Sequence, residues 1–84
     1  MTEPEILKAV AEWLQEHFDV APERVQMEAS ILEDLHLDSL DNVEVVMALE
    51  ELFSVEVDDE VAGKWNSIGD IVRFLAARPV TAPE

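Results

Sequence analysis

The sequence predicts an all-α fold, a small bundle of three main helices plus one short helix. Apolar residues recur at helical spacing in three separate stretches, the mark of helices with a packed side. Capping pairs stand where two of those stretches begin: Thr2 is followed three residues on by Glu5, and Ser67 by Asp70. Size sets the scale. The chain has 84 residues, 49% of them apolar and none of them cysteine. One domain must therefore draw its core from helix packing, with no disulfide and no thiolate metal site. That domain is expected over residues 1–78, with 79–84 as a flexible C-terminal tail.

The first helix begins at Thr2, with Pro4 in its first turn, and buries Ile6, Val10, Trp13, Leu14 and Phe18. Pro22 stops it, because a proline turns the preceding residue away from the helical conformation. A long connection follows, from about residue 22 to residue 38. Val25, Met27, Ile31, Leu32, Leu35 and Leu37 dot it and lay it across the core. The second helix spans Ser39 to Phe53. Residues 54–57 have strand propensity but no partner strand, so they read as loop. Asp58 to Ala62 form one short helical turn, with Gly63 as its C-terminal stop. The last helix starts at Ser67 and buries Ile68, Ile71, Val72 and Leu75. It carries Arg73 and Arg78 toward the end where the helix dipole favours cations.

Twenty acidic residues stand against five basic ones, a net charge of −15. Phosphate contacts need lysine and arginine clusters, so nucleic acid is excluded as a partner and an anionic membrane surface is disfavoured. No signal-peptide pattern and no apolar run of bilayer length occurs, and the expectation is a cytoplasmic monomer without membrane insertion. Between Arg24 and Lys64 there is no basic residue at all. Such a stretch either solvates the surface or steers the chain toward basic partner proteins.

Catalysis finds no support. His17 and His36 are the only histidines, and nothing resembling a nucleophile elbow surrounds Ser39. Asp34, His36 and Asp38 alternate like the first ligands of a calcium loop. The glycine such a loop requires is missing, however, and Val45 stands where its bidentate glutamate belongs. Neither an enzyme nor a metal protein is expected.

The second helix carries more apolar residues than one packed face uses. At 100° per residue, Val45, Val46, Leu49, Leu52 and Phe53 share the core face. Leu40, Val43 and Met47 lie nearly opposite, interleaved with Glu44, Glu50 and Glu51 and flanked by Asp41. This second stripe either docks partners, as exposed methionine suits, or packs under the long connection. Ser39 opens the same helix. One reading makes Asp38 or Ser39 a plain N-cap; the other gives the serine hydroxyl a chemical task.

The stretch "EDLHLDSLDNVEVVMALEELFSVEV" resembles the heart of an acyl carrier protein. Asp38-Ser39-Leu40 matches the family's attachment motif, and the run to Phe53 matches its recognition helix. The likeness extends from the first helix through "GKWNSIGDIVRFL" and so covers nearly the whole chain. The resemblance implies a freestanding carrier with 4′-phosphopantetheine on Ser39, added by a holo-synthase-type transferase. The arm's thiol would hold acyl or aminoacyl groups as thioesters for enzymes of fatty acid, polyketide or related biosynthesis. It also implies docking to basic enzyme surfaces through Asp41, Val43, Glu44, Met47, Glu50 and Glu51, and an acyl pocket among Val46, Leu49, Val57 and Trp65. The absence of cysteine agrees, since the working thiol arrives with the cofactor.

Two positions depart from the pattern. His36 stands where most relatives have glycine. Trp65 stands where fatty-acid carriers have an aliphatic pocket residue, and "KWNSIGDIV" is similar to D-alanyl carriers. Trp65 is either plain core or a sign of a small aminoacyl or peptidyl cargo. From another class, the rival is an unmodified acidic interaction module.

Overall fold

The computed structural model describes residues 2–77. They form α1 (Glu3–Phe18), α2 (Ser39–Phe53), the short α3 (Asp59–Gly63) and α4 (Ile68–Ala77), with a 3₁₀ turn at Pro22–Arg24. Among the described residues the only β pairing is one isolated antiparallel bridge between Ser30 and Ser67. The expected tail at 79–84, and Arg78 before it, lie outside them.

Thr2 and Glu5 close a capping box at the start of α1. The Thr2 N–H donates to Glu5 Oε1 (2.8 Å), and the Glu5 N–H donates to Thr2 Oγ1 (3.4 Å). The bond from the Thr2 backbone, with help from its hydroxyl, holds the Glu5 carboxyl below its ordinary range. The end of α1 comes before Pro22 can act. Asp19 turns into the left-handed region (φ 57°), and its N–H donates back to the Gln15 carbonyl at 3.2 Å.

Ile6, Val10 and Leu14 of α1 meet Val45, Leu49 and Phe53 of α2 and Ile68, Ile71, Val72 and Leu75 of α4 in one core. Each such side chain contributes about 1.5–3 kcal/mol by leaving water. Trp13 and Phe18 pack against this core only half-buried. Two further expectations fail. Leu52 is 45% exposed and belongs to the outer side of α2, and Leu32 is 63% exposed at the edge of the connection.

The connection is otherwise part of the core. Val25, Ala29, Ile31, Leu35 and Leu37 are buried, and the backbone stitches the segment to the start of α4. Ile31 N–H donates to the Asn66 carbonyl (2.9 Å), Ile68 N–H to that of Ala29 (3.0 Å) and Gly69 N–H to that of Met27 (2.8 Å). A Cβ on Gly69 would lie 2.7 Å from the Met27 carbonyl oxygen, so the crossing requires a residue without one.

Gly63 is the last residue of α3 rather than a left-handed stop beyond it; the cap is Lys64, still right-handed at φ −92°. Arg73 lies in mid-helix and pairs with Asp70 (3.1 Å) instead of with the terminal carbonyls of α4. Under α3 a second small cluster joins Val46, Val57 and Ala62, with Trp65 and Phe74 packed against it edge to face at 5.4 Å.

Candidate functional site

Asp38 caps α2, and Ser39 does not. The Asp41 N–H donates to Asp38 Oδ1 (2.9 Å), and the Asp38 N–H donates to Asp41 Oδ2 (3.2 Å). This reciprocal box satisfies the helix start with two carboxylates, which the positive end of the helix dipole favours. The Ser39 side chain is left exposed, with no hydrogen bond among the described residues. The other described serines are occupied or elsewhere. Ser30 Oγ accepts from Glu33 N–H and Ser67 Oγ from Asp70 N–H, while Ser54 closes the far end of α2 at φ 51°.

The approach to Ser39 is set by the connection. Leu37 is buried and its N–H donates to the Ile31 carbonyl at 3.0 Å, so the chain enters α2 from a fixed direction. His36 precedes it at φ 58°, a left-handed conformation that costs a residue with a Cβ about 1 kcal/mol and costs glycine nothing. The backbone there favours glycine, and His36 bears that cost.

Along the outer side of α2, Leu40, Val43 and Met47 are 78%, 57% and 61% exposed. They do not pack under the connection. Glu44 and Glu51 are exposed beside them, whereas Asp41 is half-buried and committed to the cap. Glu50 is tied as well, its Oε2 accepting from the Val57 N–H at 3.1 Å.

The four residues expected to line one pocket do not share one cleft, although Trp65 packs against the cluster of Val46, Val57 and Ala62. Val46 and Val57 line a cleft of about 490 Å³ between α2 and α3, together with Val43, Met47 and Ala62. Trp65 lines a different cleft, of about 550 Å³, whose rim carries Ser39 and whose wall includes Ile31, Leu32 and Leu37. Leu49 lines neither and is buried in the main core. Asn42 and Gly63 border both clefts. Asn42 was not singled out in the sequence, although it stands three residues from Ser39 on the same helical side. Its Oδ1 is buried without a hydrogen-bond partner among the described residues.

A free serine at a capped helix start, beside an exposed acidic and apolar stripe, can be compared with known proteins. The family model described as "Phosphopantetheine attachment site" matches residues 5–75. The chain belongs to the acyl carrier protein family. It is 45% identical over 74 residues to the acyl carrier protein of Phenylobacterium zucineum, covering 88% of this chain and 94% of that one. With the acyl carrier protein of Thermosynechococcus vestitus it shares 47% over 75 residues, covering 89% and 93%. A solved acyl carrier protein from Enterococcus faecalis superimposes with a TM-score of 0.76 at 35% identity, covering 92% of this chain and 98% of that one. The protein is thus a non-enzymatic carrier that works through a phosphopantetheine arm. No described helix of this carrier is long and apolar enough to cross a membrane.

Proposed function

We propose that Ser39 Oγ is the atom to which the phosphopantetheine is joined, and that the exposed side of α2 is the surface its partner enzymes read. The observation that carries the assignment is the division of labour at the helix start: Asp38 and Asp41 do the capping, and the serine hydroxyl between them is left free. A phosphodiester on that oxygen would lie at the positive end of the α2 dipole. When attached, the group supplies a terminal thiol that holds an acyl group as a thioester. The protein's own part is to hold Ser39 outward, to keep a cleft open on either side of Asn42, and to present Leu40, Val43, Met47, Glu44 and Glu51 beside it. A partner that reads this side receives the arm at the same place.

The partners are a holo-synthase-type transferase and the basic surfaces of acyl-transferring enzymes in the cytoplasm. Acyl chains fit the cleft between α2 and α3, where Val46 and Val57 give an apolar wall. Fragment mass spectrometry of protein modified by the transferase tests the assignment. The added mass should fall on Ser39. Its appearance on Ser30, Ser54 or Ser67 would overturn the reading.

A further inference from the structure

Beside the exposed stripe of α2 lies a groove of about 650 Å³, walled by Trp13 and His17 of α1 and by Glu44, Met47 and Glu51 of α2. Its walls carry the Glu44 and Glu51 carboxylates as acceptors, beside the donor N–H of the Trp13 indole. The Glu44 and Glu51 carboxylates have no hydrogen bond or ion pair among the described residues. His17 Nδ1 lies 3.1 Å from the Trp13 carbonyl oxygen. A carbonyl can only accept, so Nδ1 carries the proton, and in the neutral ring Nε2 presents a lone pair. The imidazole is stacked on the Trp13 indole, ring centroids 4.4 Å apart and planes 16° from parallel, with His17 exposed. The groove therefore offers a stacked aromatic pair and two uncommitted negative charges.

The complement of such a surface is a planar cation that donates to carboxylates and stacks on aromatic rings. Guanidinium has five N–H donors and no acceptor, stacks on aromatic rings, and sheds water more readily than an ammonium group. We infer that this groove is a socket for an arginine side chain of the partner protein, so that α1 joins α2 in recognition. The net charge of −15 already draws basic surfaces to the molecule. The socket selects arginine over lysine among them. The inference rests on the reading of the α2 side as a docking surface and adds the chemistry of the group it receives.

The test titrates the protein with two amphipathic helical peptides, identical except for a central arginine or lysine. The indole N–H resonances of Trp13 and Trp65 are followed separately. The arginine peptide should bind about threefold or more tightly than its twin, and the Trp13 signal should move while that of Trp65 stays. His17→Ala should remove the preference. Its side chain is exposed, so the variant keeps the fold even if Trp13→Leu does not. Equal affinities, binding of neither peptide, or a preference that survives His17→Ala would each overturn the socket. Ser39 takes no part in this titration. A failed socket leaves the attachment reading standing, and a failure to modify Ser39 leaves the socket standing.

Discussion

Gly69→Ala is a substitution for which helix propensity and packing predict opposite signs. Gly69 lies in the first turn of α4, where alanine would ordinarily gain up to about 1 kcal/mol over glycine. The added Cβ, however, would lie 2.7 Å from the Met27 carbonyl oxygen and 2.9 Å from Arg73 Nη1. The guanidinium can swing aside, because the Arg73 side chain is 58% exposed, and its exposed pair with Asp70 is worth little. The carbonyl cannot move cheaply, since it accepts the Gly69 N–H at 2.8 Å and forms part of the stitching that holds the connection. Overpacking of this kind costs about 1–3 kcal/mol, and the weakened hydrogen bond about 0.5–1.5 kcal/mol. After the propensity gain, a net loss of about 2 kcal/mol remains at the middle of these ranges, or roughly 8–16 °C in melting temperature for a domain of this size. Thermal melts followed by circular dichroism measure it directly. Gly63→Ala is the control. A Cβ there meets nothing within 4 Å and the backbone is right-handed, so that variant should match or slightly exceed the wild type. A melting temperature for Gly69→Ala at or above the wild type would show that the connection yields freely at Met27 and does not fix the approach to Ser39.

Met47 is 61% exposed, so Met47→Ala should leave stability within about 0.5 kcal/mol while costing about 1–2 kcal/mol of affinity for the transferase; a large drop in melting temperature would place Met47 in the core. Glu44→Lys should slow association and flatten its salt dependence without changing helicity, as stopped-flow mixing would report. The Asp70 carboxyl is held below its ordinary range, first by the Asn66 and Ser67 N–H groups and then by Arg73. A depressed folded pKa adds stability above the unfolded aspartate range and loses it as pH falls through the folded value. Asp70→Ala should therefore melt lower than the wild type at neutral pH, and the gap should narrow in acid; a gap independent of pH would refute the role of the charge. Loading an octanoyl group should shift tryptophan fluorescence if the chain lies beside Val46 and Val57, because Trp65 packs against that cluster. An unchanged signal would place the chain outside that cleft.

Periodicity and capping chemistry were enough to read the helices from sequence, because both are local. Ile6, Val10 and Leu14, or Ile68, Ile71 and Leu75, repeat with the helix itself, and Thr2 with Glu5 announces a start three residues away. The bounds of α2 were legible for the same reason, and so was the exposed stripe opposite its core face. The misreadings are tertiary. Leu52 and Leu32 are apolar residues that no neighbour covers, which periodicity cannot reveal. Gly63 carries the usual stop signal, yet α3 ends on a right-handed lysine. At the site, the serine was visible in its motif, but which of Asp38 and Ser39 caps the helix depends on whose side-chain oxygen accepts the Asp41 N–H. That Val46 and Val57 line one cleft and Trp65 another depends on where α3 lies, and the short helix leaves little periodic pattern to predict that. Trp13 and His17 stand four residues apart, a spacing that puts them on one side of α1; their groove appears only when α2 is laid alongside.

Intact mass decides directly whether Ser39 carries the arm. Wild-type protein and Ser39→Ala are incubated with coenzyme A, magnesium and a broad-specificity phosphopantetheinyl transferase. The wild type should gain one phosphopantetheinyl group and the variant none, with both showing the same helicity, because Asp38 and not Ser39 caps α2. An unmodified wild type, or a Ser39→Ala protein that still gains the group, would show that Ser39 does not carry the arm.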